Sequence, residues 1–229
     1  MPNPLLNALF PKICISCKRE GAHLCEDCFA LLPIANTPSL LPRHSSLSGL
    51  FCAASYDHTL VKNVIHALKY QPFLKELATP LAYSMIAHFS LIDNPIFHPQ
   101  GAKSVSSAQK PSSFILCPVP LHKKRLKWRG FNHTEEIAKV LSVTLSIPIH
   151  ADMLLRTKNT PPQMTLTKKE RINNMRGAFE IQNKQGLQDK KVLLLDDVYT
   201  TGATLEQAAH ALKKSGANQV FGLVVARGS

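Results

Sequence analysis

The sequence predicts an α/β fold, a parallel β-sheet flanked by helices, with a small four-cysteine metal module ahead of it. Three observations predict it. Val192 to Leu195 is a pure aliphatic run, as expected of a central parallel strand buried on both faces. A helical stretch from Thr204 to Lys214, ended by Gly216, and a second apolar run, Val220 to Val225, follow it. Strand–helix–strand in that order implies a right-handed crossover and parallel pairing. Finally, two Cys-x2-Cys pairs lie within residues 14–28.

At 229 residues the chain can form one full domain plus a small appendage. A hydrophobic content of 45% supports a packed core, and 18% charged residues argue against a disordered chain. No stretch reaches the roughly 18 uninterrupted apolar residues of a membrane helix, which argues against membrane insertion. Residues 1–10 lack the basic and apolar regions of a signal peptide. With six cysteines that read as metal ligands or free thiols, the expected compartment is reducing and cytoplasmic. The net charge of +12 and pI ≈ 9.6 favour polyanionic partners, nucleic acid and phosphorylated metabolites alike. The plainer alternative is a generally basic proteome.

Along the chain, residues 1–33 read as the cysteine module, Pro33–Pro42 as a linker and 50–229 as the main domain. Phe51–Tyr56 and Phe114–Val119 are short apolar runs with strand character. Leu60, Val61, Val64, Ile65 and Leu68 recur at helical spacing, and a second helix is expected over 74–89. Residues 93–113 are rich in Pro, Ser, Gly and Gln without periodicity, and read as a mobile insertion. Asn132 with Glu135, and Thr167 with Glu170, have capping-box spacing. They predict helices carrying Ile137, Val140, Leu141 and Leu145, and then Ile172 and Met175. Ala178–Ile181 is expected as a further strand.

The sharpest segment runs from Val192 to Leu205. The aliphatic strand ends in Asp196 and Asp197, and Val198, Tyr199, Thr200, Thr201, Gly202, Ala203 and Thr204 lead into the helix. Ligands of open parallel sheets bind beyond the carboxyl ends of the strands. Backbone N–H groups at a helix N-terminus attract phosphate. Gly202 permits close approach, and the three threonines add hydroxyl donors. Two acids beside a phosphate repel it unless they face hydroxyls or a metal, and a sugar diol with Mg²⁺ meets that condition. A plain helix start with Thr204 as N-cap explains Thr204 but not Asp-Asp together with Thr-Thr-Gly.

This segment resembles the thirteen-residue signature of type I phosphoribosyltransferases. The resemblance implies a phosphoribosyltransferase type I-like domain that binds 5-phosphoribosyl-1-pyrophosphate (PRPP) with Mg²⁺. Asp196 and Asp197 would contact the ribose hydroxyls and the metal, and residues 200–204 would cradle the 5′-phosphate. Elsewhere in the chain stand Lys69-Tyr70, Pro118-Val119-Pro120-Leu121, Arg129-Gly130-Phe131-Asn132, Gln163 with Leu166, Arg171 with Asn174, and Gly177-Ala178-Phe179. In this order, with the four-cysteine start, they look like the ComF family, linked to natural competence.

Leu121 to Arg129 holds five Lys/Arg and no acid, a field suited to pyrophosphate. By resemblance, Leu121, His122 and Lys123 form the pyrophosphate loop with Arg129 nearby, and a cis peptide is expected at Leu121–His122. Lys124, Arg125, Lys127 and Trp128 combine cations with a stacking ring, which suits single-stranded nucleic acid. The alternatives are a solvated charged face and a Trp128 packed on the sheet edge. A second basic segment, residues 168–176, resembles the loop that closes over pyrophosphate, with Arg171 as the candidate catalytic cation. Lys69 reads either as a partner for its helix C-terminus or as a residue near the substrate.

Cys14, Cys17, Cys25 and Cys28 form two knuckles seven residues apart. Four thiolates make a closed tetrahedral site, so a structural Zn²⁺ is expected. Cys52 and Cys117 sit in apolar runs and read as inert core thiols. Three functions follow. The first is a competence protein that handles single-stranded DNA during uptake, with competence-machinery proteins among its partners. The second is a metabolic phosphoribosyltransferase acting on a base or amine. The third is a PRPP sensor without DNA contact.

Overall fold

A computed structural model describes residues 11–37, 39–92, 114–160 and 168–228, and at 168, 169, 171 and 172 it describes the backbone alone. Four parallel strands form the central sheet in the order β1–β6–β5–β2. They are β1 (Gly49–Ser55), β2 (Phe114–Pro118), β5 (Lys191–Tyr199) and β6 (Gln219–Arg227). Leu194 lies opposite Cys117 on one side and Gly222 on the other. The interior run Val192–Leu195 is wholly buried, as its lack of alternation demands.

Side chains of β5 alternate between two cores. Leu193 and Leu195 face the layer that contains α2 (Thr59–Lys69), α3 (Ala78–Leu91) and α5 (His133–Leu145). Val192 and Leu194 face α7 (Ala203–Lys214) and a two-stranded antiparallel hairpin, β3 (Leu154–Arg156) with β4 (Phe179–Ile181). The remaining helices are α1 (Glu26–Ala30), α4 (Lys123–Arg129) and α6 (Lys168–Met175), with a 3-10 turn at Lys75–Leu77.

Several boundaries differ from the sequence expectation. Strand β5 does not stop before the acids: pairing continues as Asp196↔Val224, Val198↔Ala226 and Tyr199↔Arg227, because β6 is equally long. The helix expected from residue 74 begins at Ala78, where Pro80 falls in the first turn and needs no N–H partner. Of the expected pyrophosphate loop, Leu121 and His122 precede helix α4 and Lys123 opens it, and the rest of the basic stretch is helical. Lys, Arg and Leu favour helix, the His122 side chain accepts from the Lys124 N–H, and Gly130 closes the turn at φ 84°. The Leu121–His122 peptide, expected cis, is trans; among the described residues the cis bond is Gln71–Pro72. The Asn132 capping box does not form. Asn132 is the N-cap residue, but its amide donates to the Val119 carbonyl and its oxygen accepts from Thr134. Glu135 pairs instead with Lys139. Helix α7 is preceded by Gly202 at φ 76°, not capped by Thr204.

The stretch expected as a linker lies against the domain. Ala35 N–H donates to Ala53 and the Leu40 carbonyl accepts from Arg227, and just beyond the stretch Ser45 and the Ser46 N–H both reach the Glu206 carboxylate. Leu32, at the end of the cysteine segment, packs into the same core as β1 and α3. The 93–113 insertion, Gln163, Leu166 and the Thr167 cap lie outside the described residues. No helix among the described residues is long and apolar enough to cross a membrane.

Candidate functional site

The carboxyl end of the sheet opens into a cleft of about 500 Å³. Its floor is the end of β5. Beside it, Asp196 and Val198 to Leu205 enclose a small cup at the start of α7. The cup is shaped by backbone: Gly202 adopts a left-handed φ, and a Cβ there would lie 2.5 Å from the Tyr199 hydroxyl. Thr201 Oγ1 accepts from the Ala203 N–H at 3.4 Å, which bends the chain into the helix. The fourth residue of α7, Glu206, is turned away onto Ser45 and Ser46, so its charge is spent outside the cup.

The two acids diverge because neighbours on a strand point to opposite faces. Asp197 faces α2 and α5. One of its oxygens takes Lys69 Nζ at 2.8 Å and His133 Nε2 at 2.6 Å, and the other takes the Val198 N–H at 2.6 Å. Burial opposes its charge, but Lys69 and His133 outweigh burial and hold it well below the usual carboxylate range. Asp196 faces the opposite side. Burial and repulsion from Asp197 push it up to about 7, against the pull of Lys69 and Arg156.

Opposite the acids stand three guanidiniums. Arg129, at the end of α4, is 8% exposed. Its Nη1 meets His133 Nδ1 at 2.5 Å, and its Nε has no partner. Arg156, at the end of β3, is 7% exposed. One Nη donates to Thr160 Oγ1 at 2.6 Å, and Nε is again unpartnered. Arg125 donates to the Thr160 carbonyl at 2.7 Å. Burial and the neighbouring Arg125 lower Arg156 to about 10, which still leaves it charged near neutrality. Among the described residues no acid pairs with Arg129 or Arg156. An unpaired buried charge is costly, so the cleft is built to receive an anion.

Of the other expected pyrophosphate residues, Leu121 lines the cleft, His122 is buried as the α4 cap, and Lys123 is exposed outside it. Lys124 and Lys127 are exposed on α4. Trp128 does not pack on the sheet edge. It is 59% exposed at the cleft rim, edge-to-face with Phe73 at 4.9 Å between centroids. Arg171 lies on α6, and its side chain is outside the description. Sequence reasoning missed His133 and Arg156. His133 directly follows the Arg129-Gly130-Phe131-Asn132 stretch, whereas nothing near Arg156 marks it.

Against families, residues 128–228 match the phosphoribosyl transferase domain, a span that includes β5, the cup and α7. Over 209 residues the chain is 27% identical to competence protein ComFC of Bacillus subtilis, covering 90% of this chain and 79% of that protein. It is 36% identical over 125 residues to competence protein F of Haemophilus influenzae. It is also 26% identical over 210 residues to the DNA utilization protein YhgH of Escherichia coli K12, 91% of this chain and 86% of that one. Together these matches support a place for this chain in the ComF family. The Haemophilus match covers about half of each chain, 53% of this one and 54% of that protein.

The four cysteines of the N-terminal segment converge, with their sulfurs within 4.8 Å of one another. A tetrahedral zinc with Zn–S near 2.3 Å separates its sulfurs by roughly 3.8 Å. The cluster therefore fits a structural zinc. The first knuckle turns through an Ile13–Glu20 bridge, and the second is the N-terminus of α1. Burial would raise the Cys14 thiol, but the backbone N–H groups of Cys25, Cys17 and Ser16 lower it to about 6. Cys25 is pushed up to about 11: the Cys28 N–H favours its thiolate, but burial and the other three sulfurs prevail. Four sulfurs this close cannot all ionise without a cation between them. Cys52 and Cys117 are buried, and burial raises both thiols, Cys117 to about 12.

Proposed function

We propose that this chain binds PRPP in the cleft and serves DNA handling during natural competence. One arrangement carries the reading: a backbone cup at a helix start, paired acids beside it, and buried cations without acid partners facing them across one cleft. The cup suits a phosphate monoester. Asp196 and Asp197 suit the ribose hydroxyls, and Arg125, Arg129 and Arg156 suit the pyrophosphate. Asp196 with phosphate oxygens of a ligand also matches the few-carboxylate surroundings that Mg²⁺ prefers, and the ion when bound would neutralise pyrophosphate charge. The cysteine cluster would hold Zn²⁺ as a structural ion. The competence role rests on the relatives named competence protein F, ComFC and DNA utilization protein. Single-stranded DNA would meet the exposed face of α4, where Lys123, Lys124 and Lys127 stand beside Trp128.

Calorimetry with PRPP and Mg²⁺ tests the site. The wild type takes up the ligand, and Asp196→Asn loses at least tenfold in affinity while its zinc content is unchanged. Equal affinity in both proteins overturns the assignment. A second reading, transfer of the phosphoribosyl group to a base or amine, is favoured by the aromatic rim of Tyr70 and Trp128. Pyrophosphate release dependent on an added base separates it from binding alone.

A further inference from the structure

The hydrogen bonds behind Asp197 form a chain whose direction is fixed by chemistry. A guanidinium can only donate. His133 Nδ1, 2.5 Å from Arg129 Nη1, is therefore the acceptor and carries no proton. In a neutral ring the proton then sits on Nε2, which donates to Asp197 at 2.6 Å. His133 is 4% exposed, and both ring nitrogens are used. Lys69 donates to the same carboxylate oxygen from the opposite element, α2. Among the described residues the other oxygen accepts the Val198 N–H alone, and Asp197 lines the cleft. A carboxylate oxygen accepts two bonds, so one acceptor site remains.

We propose that His133 is a positioning residue: held by Arg129 in the Nε2–H tautomer, it fixes one oxygen of Asp197 and leaves the other for a sugar hydroxyl in the cleft. The role rests on the sugar-phosphate reading above. His133 opens α5 just beyond the Gly130 turn that ends α4 at Arg129, and that bend brings the two side chains together. The role also ties the acid end of the cleft to a cation of its anion end, because Arg129 lines the same space. At metal sites, removing a residue that aligns a ligating carboxylate costs roughly ten- to a hundredfold in metal affinity or activity, and an effect of that order is expected here.

Glutamine can reproduce both contacts: its carbonyl accepts from Arg129 and its amide donates to Asp197. Leucine can make neither. The test compares His133→Gln and His133→Leu, with ribose 5-phosphate as the probe and zinc content and melting temperature as controls of folding. The expected result is binding within threefold of wild type for Gln and a loss of tenfold or more for Leu. Nitrogen-15 NMR of the wild-type imidazole reads the tautomer without any ligand, and covers the case in which the leucine variant does not fold. A proton on Nδ1, or a folded leucine variant that binds as wild type does, overturns the role and leaves the site reading standing. Failure of wild type to bind ribose 5-phosphate overturns both.

Discussion

Asp196 and Asp197 are adjacent in sequence and opposite in environment, so they act on stability in opposite directions. Asp197 is depressed, so its contribution is present above the unfolded value of about 4 and is lost as pH falls below it. Asp196 is raised to about 7. Between pH about 4 and about 7 the folded state then holds a proton that the unfolded state has released, and stability falls as pH rises. Other buried groups, His88 among them, contribute slopes of their own, so the readout is a difference. Subtracting the denaturation free energies of Asp196→Asn from those of wild type, without ligand, should leave a component that falls from pH 4.5 to 7. A flat difference would remove the argument that burial raises this acid. Arg156 offers a second test. Its guanidinium is buried with no acid partner among the described residues, supported by Thr160 and the Phe179 ring, 5.8 Å away. Replacing such a charge with an apolar group of similar volume is neutral or stabilising. Arg156→Met should therefore melt at or above the wild-type temperature and lose PRPP affinity. A lower melting point with intact binding would show that Arg156 is structural.

At the scale of elements, α4 divides its cations between two tasks. Arg125 and Arg129 turn into the cleft, while Lys123, Lys124 and Lys127 stay exposed. A helix makes this division because successive residues are spread around its axis. If single-stranded DNA runs over the outer face, serine at the three lysines should lower the slope of log K against log salt by about 2, at roughly 0.7 per phosphate contact. PRPP binding should not change. An unaltered slope would take DNA off this helix. The β3–β4 hairpin has a comparable task. Strand β4 is legible in the sequence. The three residues of β3 carry almost no signal, yet β3 delivers Arg156 to the cleft.

Across the whole molecule, the cysteine segment is joined to the domain rather than tethered beside it. Lys12 reaches Glu76 at 2.6 Å, Ile15, Leu24 and Phe29 pack against the core, and the 3-10 turn that carries Glu76 follows directly on Lys69, Tyr70 and Phe73 near the cleft. Cys25→Ser should reduce zinc, measured by elemental mass spectrometry, to background and lower the melting temperature, because binding energy of the ion is folding energy. Retained zinc would exclude the four-thiolate site. The sequence by itself determined the parallel sheet, the cup after β5 and the four-cysteine cluster, because each is a contiguous pattern: an aliphatic run, a Thr-Thr-Gly turn into a helix, and paired knuckles. Only the tertiary structure decided that α4 is a helix, that Asp197 is held by Lys69 and His133, and that Arg156 enters the site. Those contacts join residues 64 and 128 positions apart in the case of Asp197. Chain spacing carries no trace of them, because side chains that meet across a sheet are set by strand order and by which face each residue takes.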